Sequence, residues 1–246
     1  MSVSTARMQI LPVAAVTGAV WDEVWQLTCR FYATERAWAE AKLKAGDQLA
    51  LFRSGEDGAL VGMAAIQADA VDFRGQRLLL LFTSHAIVDE RYRGQNLMQR
   101  AGVRTYLRSC WRHPLRRKIW AFDTFSYRSY LLLPRNLHEF WPRRDQATPE
   151  WQAALMQHYG ARKYGEDWQE GVVRRSPHKR LLPQTAMLGP ELLRNPDVAF
   201  FARINPGHAD GDMLLCICPL TFANWWGIVS HAIRRGWRRP VRRKGS

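Results

Sequence analysis

The chain is expected to fold as an α/β (α+β) protein, with a mixed, mostly antiparallel central sheet flanked by helices and an extended C-terminal half. Three features of the 246-residue sequence lead there. Strand-length apolar runs alternate with segments of helical period through the first half. The turn Ser54-Gly55-Glu56-Asp57-Gly58 joins two such runs as a hairpin would. The Arg93-Gly94 turn stands between the apolar run Leu78 to Phe82 and a helix-compatible segment ending near Trp111.

Taken in order, Met8 to Val13 reads as a first strand. Thr17 is placed to cap a helix whose Val20, Val24, Leu27 and Phe31 recur at helical spacing, a pattern that continues through Trp38 and Leu43 as one helix or two. Leu49 to Arg53 and Ala59 to Gln67 follow as strands, and Arg77 to Val88 as a long one. On the next helix Met98, Gly102, Val103, Tyr106, Leu107 and Cys110 share one face, with Arg100, Arg104, Arg108 and Arg112 on the other. The arginine stripe is either a solvated face or a reach for phosphate. Lys118 to Phe122 is a fifth strand, and Pro149 to His158 is helix-like. Arg135 to Asp145 and Arg174 to Leu182 read as loops, whereas Val198 to Ile204 and Asp212 to Cys218 alternate as strands of a hairpin that closes the sheet.

Composition narrows the class. Hydrophobic residues at 47% and charged residues at 24% lie in the globular range and argue against disorder or a polytopic membrane protein. The formal charge of +14 makes polyanions the expected partners: nucleic acid, anionic lipid, an acidic carrier protein or a phosphate-bearing cofactor. Nine Lys and Arg fall between Arg91 and Lys118 without one acid, and seven more between Arg234 and Lys244. Four cysteines give no disulfide framework, since Cys216 and Cys218 alternate onto one strand face. The N-terminal apolar patch is broken by Pro12, Thr17 and Gly18, which argues against a secretory leader and for a cytoplasmic protein. The histidines have no metal-ligand spacing, so no metal is expected.

Strand, glycine turn and helix in succession make a phosphate site, because helix N-termini present unpaired N–H groups and the positive end of the helix dipole. Here Val88-x-x-x-x-Arg93-Gly94-x-Asn96 resembles the acyl-coenzyme A loop of the GCN5-related N-acetyltransferases. Asn96 and Met98 stand where that pattern has small residues, and Asn tolerates a left-handed backbone better than most. The order of elements, strand, helices, three strands, phosphate turn and helix, is that family's order too.

The resemblance implies an acyl thioester, acetyl-coenzyme A or a longer acyl-CoA, bound in a cleft between the fourth and fifth strands. Its pyrophosphate would rest on Arg93, Gly94, Gln95, Asn96, Leu97 and Met98, with Val88 bonding the pantetheine arm and its N–H meeting the oxyanion. Asp123 to Tyr130 resembles the family's Asn-x-x-Ala-x-x-x-Tyr, which makes Tyr130 the acid that protonates the departing thiolate. A rival alignment runs through Tyr159-Gly160-Ala161 and removes that role from Tyr130. Either Tyr130 is catalytic or it is a core aromatic. His85 is the candidate base for the amine, with Asp89, Glu90 and Asp123 as further carboxylates nearby.

On this reading residues 1–142 form the acyl-CoA-binding core, 143–223 complete the sheet and the acceptor side, and 224–246 form a basic amphipathic helix or tail. Met213 to Ile233 carries no charge, yet Pro219, Asn224 and His231 make it a poor membrane span. Trp225, Trp226, Val229 and Trp237 opposite Arg234, Arg235 and Arg238 suit either a peripheral anchor at the inner face of the membrane or a last helix packed on the core. Two other readings stay open: a basic nucleic-acid-binding protein, which has no recognition signature here, and a non-catalytic binding protein of the same fold.

Overall fold

The computed structural model describes residues 5–169, 171–173, 178–182, 187–221 and 223–225. One sheet dominates, in the strand order β1-β3-β4-β5-β6-β10-β8-β7. Its members are β1 (Ala6–Pro12), β3 (Gln48–Ser54), β4 (Leu60–Phe73), β5 (Gln76–Val88), β6 (Arg117–Thr124), β7 (Trp168–Gln169), β8 (Val172–Val173) and β10 (Met213–Pro219). Every neighbouring pair is antiparallel except β5 and β6, which run parallel. A parallel pair needs a crossover, and α3 (Leu97–Arg112) supplies it. Short β2 (Tyr32–Thr34) and β9 (Lys179–Leu181) pair in a separate ribbon.

Strand β4 runs six residues past its expected end because Arg74 and Gly75, at φ 46° and 76°, make a tight two-residue turn into β5. The helix expected from Thr17 to Leu43 is two, α1 (Gly18–Cys29) and α2 (Arg36–Lys44), with β2 between them. Helices α1, α2 and α6 (Glu150–Tyr164) cover one face of the sheet, where Leu49, Met63 and Ile87 pack on Trp21 and Val24, and Leu80 and Phe82 on Leu155 and Tyr159. Helix α3 lies on the other face, followed along it by α4 (Tyr127–Tyr130), α5 (Leu132–Asn136), α7 (Pro190–Leu193) and α8 (Pro196–Ile204). Burial of such side chains contributes about 1.5–3 kcal/mol each.

Two expectations need correction. Val198 to Ile204 is helix α8 rather than a strand: the Asn195 side chain accepts from the N–H groups of Asp197 and Val198, and Pro196 presets the first turn. Only the second half of the expected hairpin, β10, joins the sheet, and it does so beside β6. On α3 the buried positions are Leu97, Ala101, Thr105 and Ser109, while Leu107 is exposed. Leu97, Ala101, Thr105 and Ser109 thus face the sheet, while Leu107 and Trp111 point away from it. Of the C-terminal helix expected over 224–246, only Asn224 and Trp225 lie among the described residues.

Candidate active site

The site begins where two strands part. β5 and β6 stay in register from Leu78 opposite Arg117 to Thr83 opposite Phe122, and no further. At that point Trp120 Nε1 donates to Thr83 Oγ1 at 3.1 Å, closing the paired stretch. One residue later β5 bulges: Ser84 pairs with Ala65 and Ile87 with Met63, so His85 and Ala86 together face Ala64. His85 absorbs the irregularity with φ 51°, a left-handed conformation uncommon for a residue with a side chain. It is buried, and its Nδ1 lies 3.2 Å from Ser84 Oγ.

Two cavities meet at this bulge. The first, of about 190 Å³, runs between α3 and the β6–α4 corner and is mainly apolar, walled by Met98, Ala101, Gly102, Trp120, Phe122 and Leu137. Small residues on the inner face of α3 leave this space open. Thr105 Oγ1 is buried in the same wall with no hydrogen-bond partner among the described residues, a polar group such as a ligand would satisfy. The second cavity, of about 380 Å³, lies on the α6 face and is lined by Lys42, Gln67, Asp69, Tyr159, Arg162, Lys163 and Tyr164. Ser84, His85, Asp123, Lys179 and Met213 line both.

The turn before α3 is built on two residues of positive φ. Gly94 has φ 85°, and a Cβ built on it would meet open space. Asn96 is left-handed at φ 55°, ψ 34°, which explains an Asn in place of glycine. The helix starts at Leu97 with no side-chain cap. Gln95 Oε1 accepts from the Ala6 N–H at 3.0 Å and so fastens the turn to β1. Arg93 is exposed and donates to Glu90 at 2.6 Å. Met98 does not fill the turn; it packs against the core and walls the first cavity. Val88 still pairs with Gly62 of β4 and packs against the same core cluster as Met98. Loop and cavity thus meet at the first turn of α3.

Other candidates fall away from the chemistry. Tyr130 is fully buried, donates to the Pro142 carbonyl at 3.1 Å and lies among Phe140, Phe200 and Phe201. It is a core aromatic and borders neither cavity. Burial pushes its phenol up. Asp89 is structural as well. Burial would raise its carboxyl, yet bonds from the Arg91 and Arg30 side chains and the Arg91 N–H outweigh it and hold the group at about 2. Glu90 is exposed and paired with Arg93.

Sequence reasoning missed the far wall. Tyr164 donates to Asp123 Oδ2 at 3.0 Å, and Tyr159 donates to Asp69, burial followed by the Asp69 charge raising the Tyr159 phenol. Lys163 donates to Gln67 Oε1 at 2.7 Å and sits 4.0 Å above the Phe82 ring. The signal was the Tyr159-Gly160-Ala161 junction, because Lys163 and Tyr164 follow Tyr159 by about one helical turn. Gly160 is obligatory there: a Cβ would enter the Trp168 ring. Asn224 was also missed. It accepts from His138 N and Glu139 N, both at 2.9 Å, and donates to Pro219 O at 2.7 Å, setting Trp225 against Tyr106 at the end of the apolar cavity. Among the described residues no cluster suits a metal ion, and no helix is long and apolar enough to cross a membrane.

No family model matches the chain, and no curated protein matches it. Similar solved structures include a probable N-acyltransferase of unknown function from Enterococcus faecalis V583, at 18% identity and TM-score 0.38, over 55% of this chain and 33% of that one. An acetyltransferase from Trypanosoma brucei is similar at 19% identity and TM-score 0.37, over 57% of this chain and 99% of that one. A third is the GNAT family N-acetyltransferase YhbS from Escherichia coli in complex with CoA, at 18% identity and TM-score 0.35, over 52% of this chain and 67% of that one. This chain thus spans about a third of the first structure's length and nearly all of the second's.

Proposed function

We propose that the protein is a divergent member of the GCN5-related N-acetyltransferase superfamily, an N-acyltransferase that moves an acyl group from an acyl-coenzyme A thioester to an amine. One observation carries the reading: β5 and β6 part at Thr83 and Phe122, beside a bulge that sets His85 where an apolar and a polar cavity meet. Donor and acceptor can each approach that point from its own side. The turn Arg93 to Met98 is the pyrophosphate cradle, where the N–H groups opening α3 and the open space over Gly94 favour an anion. The thioester arm follows the apolar cavity past Thr105 to the bulge.

At the bulge the amine nitrogen attacks the thioester carbonyl as the carbon–sulfur bond breaks. Holding both partners at one point removes most of the entropic barrier. His85, with Asp123 beside it on the opposing strand end, is the group that takes the amine proton. The thiolate leaves toward the apolar side and is protonated there.

The walls Leu132, Leu137, Leu220 and Trp225 extend the apolar cavity beyond what an acetyl group occupies, which supports a longer acyl chain. A donor tethered to an acidic carrier protein would suit the exposed arginines of α3 equally well. The end of α3 and the turn after it support peripheral contact with an anionic membrane, since Leu107 and Trp111 on the helix and Leu115 just beyond it are 61%, 83% and 77% exposed beside Arg104, Arg108 and Arg112. The test is thiol release from acetyl- and long-chain acyl-CoA with an amine mixture. His85→Gln should lower kcat by about 10²- to 10⁴-fold while binding of acyl-CoA, read as a rise in Tm, persists. Absence of any acyl-CoA-dependent rise in Tm for the wild type would refute the reading.

A further inference from the structure

The apolar cavity opens onto the outer side of α3. Gly102 and Val103 on that helix and Leu132 at the start of α5 line the cavity and are themselves exposed, the last two by 37% each. A Cβ built on Gly102 would meet no atom within 4 Å. From this mouth Val103, Leu107 and Trp111 recur every four residues, an apolar strip about 12 Å long by the helical rise, and Leu115 follows just past the helix end. An arginine comes directly after each strip residue on the helix. Arg104, Arg108 and Arg112 are all exposed and have no ion-pair partner among the described residues. No acid interrupts the chain from Arg91 to Lys118.

Large apolar side chains beside a row of cations suit the boundary of an anionic bilayer, where the apolar tips enter the acyl region and the guanidinium groups meet lipid phosphates. An acidic protein would meet the arginines alone; the unbroken run of the strip into the acyl cavity favours lipid. Thr105 Oγ1, buried in the cavity wall with no partner among the described residues, marks the space as one that a ligand completes. We propose that the cavity delivers its acylated product directly into an anionic bilayer through the mouth at Gly102, Val103 and Leu132, without passage through water. This rests on the transferase reading with a long-chain donor and names the partner that receives its product. Each methylene exposed to water disfavours escape by about fourfold, so a long chain leaves an apolar cavity slowly unless another apolar phase meets the mouth. The arginines hold that phase in place.

The experiment loads the full chain with a pyrene-labelled hexadecanoyl amide and follows its transfer to quencher-bearing vesicles by stopped flow. Handover at the membrane makes the rate rise with vesicle concentration, whereas escape through water makes it independent of that concentration. Transfer to phosphatidylglycerol vesicles should rise in proportion to their concentration, exceed transfer to phosphatidylcholine by at least about tenfold, and lose that advantage at high salt. Leu107→Gln combined with Trp111→Gln, neither of which lines the cavity, should cut the rate about tenfold with probe affinity within about twofold of wild type. Gly102→Leu, which has room for its side chain, should slow transfer about tenfold by narrowing the mouth. A rate indifferent to vesicle concentration, or unaltered in either variant, would overturn the inference and leave the transferase standing on acyl-CoA binding and thiol release. Salt-sensitive binding of an acidic acyl carrier protein, with vesicles ignored, would give this face to a protein partner and likewise overturn it. Failure of acyl-CoA to raise Tm would remove the transferase reading and this inference with it.

Discussion

Tyr164, on the last turn of α6, donates a hydrogen bond to Asp123, 3.0 Å away, at the end of β6 that has parted from β5. The contact joins two segments 41 residues apart and fixes a carboxylate at the mouth shared by both cavities. Tyr164→Phe keeps the ring stacked on Trp168 but removes the hydroxyl, so Asp123 loses one of the bonds that direct its carboxylate. As a positioning residue, Tyr164 should affect kcat and not donor binding. A fall in kcat of about tenfold with KM for acyl-CoA unchanged is expected from steady-state kinetics. Unchanged kcat would show that the bond only braces the helix.

The turn before α3 offers a cleaner test of backbone against side chain. Asn96 is left-handed, and its side chain makes no cap bond. Asn96→Gly should therefore leave acyl-CoA affinity within about threefold, since glycine accepts that conformation freely. Asn96→Val places a β-branched residue there at a cost of about 1–2 kcal/mol, which should weaken acyl-CoA binding about tenfold by titration calorimetry. Equal affinities for the two variants would mean that the turn does not hold the phosphates.

The order of β1, β3, β4, β5 and β6 was legible in the sequence because apolar runs and a glycine-rich turn mark them locally, whereas β2 and the last six residues of β4 were not. The glycine turn before α3 was legible for the same reason, and Asn96 there is left-handed. What failed was tertiary. The alternation in Val198 to Ile204 suits a strand, but the cap and proline at Asn195-Pro196 decide for a helix, and that local signal was passed over. Strand β9 is three residues long and pairs with β2 across more than 140 residues, which no local pattern can announce. Tyr130 keeps the spacing of a motif, yet α4 turns it into the core against Phe201, whereas the tyrosines bordering the polar cavity come from a distant helix. Periodicity placed Met98, Gly102 and Val103 on one face of α3, and that face borders the cavity, but it did not mark Ala101, Thr105 and Ser109 as the residues facing the sheet or Leu107 as exposed.

That outer stripe makes a prediction about location. Leu107, Trp111 and Leu115 stand exposed beside arginines, an arrangement that inserts apolar side chains while cations meet lipid phosphates. The protein should sediment with phosphatidylglycerol vesicles at low salt and much less at 0.5 M salt, where the Debye length is roughly 4 Å. Replacing the three apolar residues by Gln should abolish sedimentation, with Tm within a few degrees of wild type because none is buried. Deleting 225–246 separately reports on the C-terminal segment. Undiminished sedimentation of the triple variant would reject α3 as the contact.

Asp89 predicts the acid limb of stability. Its carboxyl, held at about 2 by Arg91 and Arg30 against the opposing effect of burial, lies below the unfolded value of about 3.9. A depressed folded value means that the ionised form stabilises the fold: the contribution is complete above about pH 4 and disappears as pH falls toward 2. The full shift corresponds to roughly 2.5 kcal/mol. Arg30 and Arg91 are 53% and 75% exposed, so solvent screening reduces the expected value to about 1–2 kcal/mol. Asp89→Asn should lose that amount at pH 7 in denaturant titrations, and the gap to wild type should narrow between pH 4 and pH 2. A gap that stayed constant across that window would assign the loss to the turn geometry at Glu90–Tyr92 rather than to charge.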